Sequence, residues 1–174
     1  MYAYDRTDLK AALDSVDESS PHWRKETVSF EAAYGGERVI AHLFLPRNTE
    51  PPYQPVVWFP GDDAFFLPAG GALASPYLFD FIPRSGRALV YPVYKGMYER
   101  HVPISFAPNE WRDLIVMWSK DLSRTVDYLE ERADIDTGKL AYYGFSVGGE
   151  YGPIFTAVDA SQPYHSTLFT LSGS

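Results

Sequence analysis

The chain has 174 residues, of which 45% are hydrophobic, and such a length is typical of one globular domain with a sizeable core. Its formal net charge of −8 argues against nucleic acid or an anionic membrane surface as a partner, because both require a basic face. The absence of cysteine excludes disulfides, thiolate nucleophiles and zinc sites built on sulfur.

Residues 1–25 predict a helical leader ahead of a main domain that covers residues 26–174. Apolar residues have helical spacing between Asp8 and Val16, and the helix-breaking cluster DESSP follows. The leader lacks the apolar core of a signal peptide, and no run of about 18 apolar residues occurs in the chain. We therefore expect a cytoplasmic protein without a membrane span.

The next part of the chain predicts strands. Apolar and polar residues alternate on both sides of Gly35 and Gly36 in ETVSFEAAYGGERVIAHLFLPRN, which indicates an antiparallel hairpin. Continuous apolar runs at residues 56–59 and 88–93 indicate two strands buried on both faces. The segment SPYLFDFI between them predicts a short helix with Pro76 in its first turn.

The strongest helical pattern covers residues 110–132, where apolar residues recur at spacings of three and four and would share one face. These residues are Leu114, Ile115, Trp118, Leu122, Val126 and Leu129. A third buried strand is predicted at LAYYG, a helix after Ser146 and a fourth core strand at STLFTLSG. A hairpin followed by alternating strands and helices predicts an α/β fold with a mostly parallel sheet and helices on both faces.

Ser146 stands between Gly144 and Gly148 in the motif G-x-S-x-G, directly after a predicted strand and before a predicted helix. A sharp turn at this point would hold the serine hydroxyl clear of the sheet, and it needs small residues two positions before and after the serine. The amide of Val147 would lie in the first helical turn, where N–H groups lack intrahelical partners and favour negative charge. The pattern predicts a nucleophile elbow with Ser146 as the catalytic residue, although glycine-rich turns also follow strands in proteins without such chemistry.

The segment DLSRTVDYLEERADIDTGKLAYYGFSVGGEYG resembles the helix, turn, strand and elbow of the α/β-hydrolase superfamily. It is most similar to the branch of serine esterases that includes acetyl xylan esterases and prolyl-oligopeptidase-like enzymes. Within that branch it resembles bacterial esterase-like domains that are fused behind protein kinase domains. The resemblance covers residues 26–174 and depends mainly on residues 121–152.

The resemblance implies that a second oxyanion-hole amide comes from the loop FPGDDAFF, and it matches that amide to Asp62. The superfamily often has a His-Gly pair here, whereas this chain has Pro60 and Gly61. The carboxylates of Asp62 and Asp63 would oppose an oxyanion if they pointed inward, so we expect them to face solvent or to pair with a cation. An exposed acidic turn without a catalytic role is the alternative interpretation.

The resemblance also implies a triad carboxylate and histidine that follow the serine in the chain. After Ser146 the chain contains only Glu150, Asp159 and His165 as candidates, and we expect the first two in the elbow helix and His165 at the surface, at the opposite end of the sheet. We expect His22 and His42 to be structural. His101 follows a core strand at its carboxyl end, where it could contact substrate.

Domains of this class run to about 200 to 250 residues. We therefore interpret the chain as the N-terminal part of a serine hydrolase with its C-terminal strands missing, either truncated, cleaved or one of two chains. The strand at such a cut would expose unpaired backbone groups. A second polypeptide with the remaining strands, or self-association, is expected to cover it.

The sequence thus predicts a serine hydrolase that acts on a small-molecule carboxylic ester, with Ser146 as nucleophile and the amides of Val147 and Asp62 as oxyanion donors. We expect residues beyond this chain, or a second chain, to supply the triad acid and histidine. We place a substrate pocket at Asp63, Phe65, Tyr98 and His101. Two alternatives remain: a non-catalytic binding or regulatory module, and a peptidase of the prolyl-oligopeptidase type. No cofactor and no metal are expected, because GFSVGG is not a nucleotide-binding motif and no ligand spacing occurs.

Overall fold

The computed structural model describes residues 1–67, 73, 76–158 and 168–171, and its centre is one seven-stranded sheet. The strands are β1 (Ala12–Asp17), β2 (Trp23–Glu31), β3 (Arg38–Pro46), β4 (Pro55–Phe59), β5 (Ala88–Val93), β6 (Ala141–Phe145) and β7 (Leu168–Leu171). The α-helices are α1 (Phe81–Arg84), α2 (Pro108–Glu130) and α3 (Val147–Val158). Short 3₁₀ turns cover Asp62–Phe65, Pro76–Leu78, Tyr98–Arg100 and Thr137–Lys139. The order of the strands across the sheet is β1-β2-β3-β5-β4-β6-β7.

The prediction of a leading helix between Asp8 and Val16 is wrong, because β1 lies there instead. Its residues pair antiparallel with β2, from Ala12 opposite Ser29 to Asp17 opposite Lys25. A helix of nine residues is marginal by itself, so the hydrogen bonds that β2 offers outweigh the local helical pattern. The leader is therefore not a separate helical unit: β1 is a strand of the main sheet, and β2 begins at Trp23, before the predicted boundary.

The hairpin is confirmed, and so are the strands predicted at residues 56–59 and 88–93. Gly35 and Gly36 form its turn with φ angles of 65° and 62°, in the left-handed region that glycine adopts without strain. The hairpin leads into a parallel part of the sheet, as predicted, so the sheet as a whole is mixed. Among the described strands, β1, β2, β3 and β5 pair antiparallel in succession, and β5, β4, β6 and β7 pair parallel. The two parts join where β3 pairs antiparallel with β5.

Helices cover both faces of the sheet, as predicted. Adjacent residues of a strand point to opposite faces, and Trp58 and Phe59 of β4 show which helix lies on which side. On one face, the centre of the Trp58 ring lies 5.8 Å from that of Phe79, beside α1. On the other face, the centre of the Phe59 ring lies 5.4 Å from that of Trp118 in α2 and 5.8 Å from that of Phe155 in α3. The SPYLFDFI segment forms a 3₁₀ turn and the short α1 rather than one continuous helix.

The long helix α2 begins two residues before the predicted start and ends two before the predicted end. Its predicted apolar face is largely buried, with Trp118 and Leu129 fully inaccessible to solvent. The segment before β1 packs on the same helix, where Leu9 is buried and the Arg124 guanidinium donates to the Thr7 carbonyl at 3.0 Å. The helix is thus enclosed by the sheet on one side and by the N-terminal segment on another.

Candidate active site

Three connections lie at one edge of the sheet, which we call the carboxyl edge because the parallel strands β4, β5 and β6 all end there. Ser146 follows β6, the 3₁₀ turn Asp62–Phe65 follows β4, and the 3₁₀ turn Tyr98–Arg100 follows β5. Sites in open α/β sheets form at this end, because the loops that leave neighbouring strands converge there.

Ser146 lies in a tight turn between β6 and α3, and its φ angle is 51°. A residue other than glycine is uncommon in this region of backbone space and costs of order 1 kcal/mol or more there. The flanking glycines explain how the turn closes. A Cβ atom on Gly144 would collide with the Gly148 carbonyl and lie 2.8 Å from the Gly149 nitrogen, and one on Gly148 would lie 2.8 Å from Cβ of Phe59.

Hydrogen bonds hold the turn in place from both sides. The Gly148 amide donates to the Pro60 carbonyl at 3.3 Å, which ties the start of α3 to the end of β4. The Tyr142 hydroxyl donates to the Gly148 carbonyl at 2.7 Å, and the Glu150 amide donates to the Ser146 carbonyl at 2.9 Å. The unusual backbone of Ser146 is therefore fixed by its surroundings rather than left to its own preference.

The loop after β4 lies against the serine. A Cβ atom on Gly61 would be 3.3 Å from Cβ of Ser146 and 3.1 Å from the Phe145 ring, so a side chain here would be tight and the neighbouring atoms would have to shift by a few tenths of an ångström. Asp62 and Val147 are the first residues of the two helical segments that begin here, where backbone N–H groups lack intrahelical acceptors. The Asp62 and Asp63 side chains are exposed, in agreement with the expectation that they face solvent.

Solved structures provide the comparison for this arrangement. A glucuronoyl esterase from Solibacter usitatus is 19% identical and superposes with a TM-score of 0.63, over 91% of this chain and 50% of that one. An acetyl xylan esterase from Paenibacillus sp. R4 is 18% identical and superposes with a TM-score of 0.64, over 92% of this chain and 53% of that one. The chain has the α/β-hydrolase fold. A cold-adapted esterase from an Arctic intertidal metagenomic library has the same fold, with 17% identity, a TM-score of 0.64 and coverage of 85% and 61%.

The chain spans about half the length of the first two of these structures. No protein-family model matches the sequence, and no curated protein matches it either. The resemblance that the elbow segment indicates is confirmed at the level of the α/β-hydrolase fold. At these low identities the likeness defines the fold alone.

The predicted substrate pocket falls into two parts in this α/β-hydrolase fold. Phe65 and Tyr98 are each 3% exposed and belong to the core, so neither side chain lines an open pocket. The Phe65 ring stacks on Trp118 with 5.8 Å between the ring centres, and the Tyr98 hydroxyl lies 2.9 Å from the Tyr91 hydroxyl. Asp63 and His101 are exposed at the carboxyl edge, and their role in substrate binding stays a prediction.

A groove of about 240 Å³ at the carboxyl edge was not anticipated from the sequence. It lies between the segment after β5 and the first turns of α2. Its lining residues are Lys95, Val102, Pro103, Ile104, Ser105, Glu110, Asp113, Leu114 and Met117. Irregular segments such as residues 102–105 carry no periodic pattern, and for this reason sequence analysis missed the groove.

The histidines that the structure describes do not hydrogen-bond Ser146. His22 precedes β2 and contacts Arg84, with 3.0 Å between Nε2 and Nη1. His42 lies in β3 with Nδ1 at 3.1 Å from the Thr27 hydroxyl, and its burial, reinforced by the charge of Lys25, lowers its pKa to about 4. Both positions agree with structural roles. Glu150 is exposed in the first turn of α3, while Asp159 and His165 lie outside the described residues.

A buried ion pair between Arg100 and Asp121, near the carboxyl edge, was also not predicted from the sequence. Asp121 of α2 is inaccessible to solvent and accepts hydrogen bonds from Arg100 Nη1 at 2.6 Å, the Tyr34 hydroxyl at 2.8 Å and the Lys95 amide at 3.0 Å. Burial raises the pKa of Asp121, and the Arg100 guanidinium opposes that shift by favouring the carboxylate. The network ties the segment after β5 to α2 and to the hairpin turn.

The part of the chain that the structure describes contains neither a metal-binding cluster nor a membrane-spanning helix. No group of three histidine, cysteine or acidic side chains there could hold a metal ion. No helix within the described ranges combines the length and the apolar character that crossing a bilayer requires.

Proposed function

We propose that the chain carries the nucleophile of a serine hydrolase that acts on carboxylic esters. The observation on which the proposal depends is the turn at Ser146, with a φ angle of 51° between two glycines that have no space for a side chain. Such a turn presents a serine hydroxyl at the start of a helix, as nucleophilic catalysis on this fold requires. The names of the structural neighbours, acetyl xylan esterase and glucuronoyl esterase, favour an ester as the substrate class.

In the proposed reaction, Ser146 Oγ attacks the carbonyl carbon of the ester and forms a tetrahedral intermediate. The amides of Val147 and Asp62 donate hydrogen bonds to the oxyanion, and each such donor typically contributes about 3 to 4 kcal/mol to the transition state. Collapse of the intermediate expels the alcohol and leaves an acyl group on Ser146, which water then removes. The proton transfers need a histidine with a carboxylate partner, and we propose that residues outside the described part of the chain or a second chain supply them.

A non-catalytic binding or regulatory module is the second candidate. It is favoured by the finding that none of the described histidines hydrogen-bonds Ser146. A fold of this kind can persist without turnover, because the packing that forms the turn is independent of the residues that would transfer protons. The two candidates differ in whether the Ser146 hydroxyl reacts.

The reactivity of Ser146 can be tested with a fluorophosphonate probe and intact-mass spectrometry of the purified protein. We expect one adduct in the natural protein and none in Ser146→Ala, whereas Ser15→Ala, at an exposed position in β1, should be labelled at the natural rate. If Ser146 stays unlabelled in a protein that is folded by circular dichroism and purifies from its natural source without a second chain, the chain is the non-catalytic module instead. An adduct that persists in Ser146→Ala would place the reactive group elsewhere.

A further inference from the structure

A concavity of about 320 Å³ opens at the end of the sheet opposite Ser146, which we call the amino edge. We call it the arginine pocket, and it is lined by Pro21, His22, Arg47, Asn48 and Arg84. These residues come from the segment before β2, the segment after β3 and the end of α1. Because β3 runs antiparallel to β5, the end of β3 lies beside the start of β5, roughly 20 Å from the carboxyl edge at 3.3 Å per strand residue.

The Arg84 guanidinium is held in a fixed orientation. Its Nε donates to Asp80 Oδ2 at 2.6 Å, and its Nη1 lies 3.0 Å from His22 Nε2. The guanidinium carbon lies 5.8 Å from the centre of the Trp23 ring, so an aromatic face supports it as well. None of the described contacts involves Nη2 of Arg84, which leaves that donor for a ligand.

Arg47 is anchored through its backbone and loosely held through its side chain. Its amide donates to the His22 carbonyl at 3.0 Å. Its Nη2 lies 3.4 Å from the Glu18 carbonyl oxygen and 4.0 Å from Glu18 Oε2, distances at which a hydrogen bond is weak and an ion pair marginal. Because the Glu18 side chain is itself largely exposed, a better acceptor could replace it.

The lining of the arginine pocket carries two guanidinium groups and no carboxylate, in a chain whose net charge is −8. Asp80 and Glu18 pair with the two arginines from outside the lining, and His22 Nε2 accepts from Arg84 Nη1 because a guanidinium can only donate. The Glu18 contact is long and exposed, so it offsets the Arg47 charge only weakly, and an anion in the pocket would be stabilised by that charge. A guanidinium also presents its donors as a planar fork that fits phosphate and carboxylate oxygens.

We propose that the arginine pocket binds a small phosphate-type oxyanion, either the free ion or the phosphoryl group of a small molecule. Arg84 Nη2 and Arg47 would donate to its oxygens, and the Asn48 side chain, which donates to the Arg84 carbonyl at 2.9 Å, holds the two arginine segments together. The site is remote from Ser146 and independent of the proposed hydrolase activity. Its effect on the protein would be to stabilise the fold in proportion to the anion bound.

Isothermal titration of sodium phosphate into the protein at constant ionic strength, balanced with sodium chloride, tests the proposal. We expect saturable binding of one ion with a Kd on the order of 1 mM. Arg47→Gln should weaken binding by at least about tenfold, because a hydrogen bond to a charged group is lost. Arg87→Gln is the matched control: this arginine is exposed at the same edge, its guanidinium contacts Gln54 and Ser85 outside the pocket, and binding should be unchanged.

Further variants separate a specific site from general charge. Arg84→Lys keeps the charge but loses the fork, so binding about tenfold weaker is expected, with folding verified by circular dichroism. Absence of saturation, an equal loss in Arg87→Gln, or natural affinity in Arg84→Lys would each overturn the proposal. Ser146→Ala should bind phosphate normally, so failure of the hydrolase proposal would not affect this result.

A titration with phenyl phosphate identifies the source of the anion. Affinity at least about tenfold above that of phosphate would support a phosphorylated small molecule, since only that ligand gains contacts outside the oxyanion. Equal affinity would support the free ion. Either result requires the loss of binding in Arg47→Gln, and binding of phenyl phosphate that this variant leaves intact would contradict the arginine pocket as the site.

Discussion

At the scale of single residues, the candidate site depends on positions where a side chain has no space. Gly144 and Gly148 allow β6 and α3 to meet at Ser146, and Gly61 allows the loop after β4 to approach the serine. The backbone of Ser146 itself is strained, and contacts from Pro60 and Tyr142 to Gly148 maintain it. Local strain at one residue is thus balanced by packing at its neighbours.

Gly144→Ala should therefore destabilise the protein by about 3 kcal/mol, the upper range for forcing an extra methyl group into a packed interior. The added Cβ would meet backbone atoms of Gly148 and Gly149, which cannot move without opening the turn. Urea denaturation measures the change. Gly138→Ala is the control, since its Cβ would meet only the flexible carboxylate of Asp136, and its free energy of unfolding should change by less than about 0.5 kcal/mol.

Burial of His42 should make the free energy of unfolding decrease in acid. Burial lowers the pKa of His42 to about 4, against 6.5 for the same group in the unfolded chain, so the unfolded state binds more protons between these values. The free energy of unfolding should be undiminished above pH 6.5 and fall by roughly 3 kcal/mol as the pH decreases to 4. His42→Asn should lose this part of the pH dependence. An identical pH profile of unfolding for the variant and the natural protein would show that other groups cause it.

At the scale of secondary-structure elements, α2 shows that a helix can be buried on several sides. Apolar residues at helical spacing face the sheet, but Asp121, Arg124 and Asp127 are buried as well. Arg124 pairs with Asp127 at 2.9 Å, and Arg100 pairs with Asp121 at 2.6 Å. These polar residues connect α2 to segments distant in the chain, so they fix its position rather than only its helicity.

Asp121→Asn should cost about 3 kcal/mol, because it removes the buried carboxylate 2.6 Å from Arg100 and leaves only the partly exposed Glu37, 3.4 Å from Arg100 Nη2. Asp113→Asn in the same helix removes an exposed pair with Arg112 and should change the free energy of unfolding by less than about 1 kcal/mol. Chemical denaturation of both variants measures the contrast. Equal losses in the two would mean that burial of the Asp121 pair contributes nothing specific.

At the scale of the whole molecule, the sheet ends in two strands with different surroundings. β1 is exposed along its whole length, whereas β7 lies next to the strand that leads to Ser146. Among the described strands, β7 pairs only with β6, and an edge strand offers unpaired N–H and C=O groups to another chain. We propose that a second polypeptide or another copy of this chain adds to the sheet at β7.

Sedimentation velocity over a hundredfold range of concentration tests this proposal. Self-association should raise the apparent mass with concentration, while a second polypeptide should be detected by intact mass in material purified from its natural source. A chain that remains a monomer over the whole range, unfolds in one cooperative transition and purifies alone would contradict both forms of the proposal.

Much of the fold could be predicted from the sequence because the signals are local and redundant. The hairpin has alternation plus two adjacent glycines, and β4, β5 and β6 are continuous apolar runs between turn residues. The helix α2 could be delimited within two residues at each end by its repeated apolar positions. The tight turn at Ser146 could be predicted because the glycines two residues before and after the serine are a steric requirement of such a turn.

Other features could not be predicted because they depend on residues far apart in the chain. Leu13 and Val16 have helical spacing but remain exposed, since the segment gains its hydrogen bonds from β2 instead. Phe65 and Tyr98 were placed in a pocket from their position after a strand, yet both side chains turn into the core. The arginine pocket combines three segments that only the folded sheet brings together.

Local residue patterns are sufficient to predict the order of the strands and long helices from β2 onward, the turn at Ser146 and the absence of thiol chemistry, because each follows from residue types or their spacing along the chain. The folded arrangement is needed to show that β1 is a strand, that β3 pairs antiparallel with β5, that Asp121 is paired in the interior and that two arginines line one pocket at the amino edge. These features result from hydrogen bonds, burial and charge between distant segments, and their free energies arise only when the chain has folded.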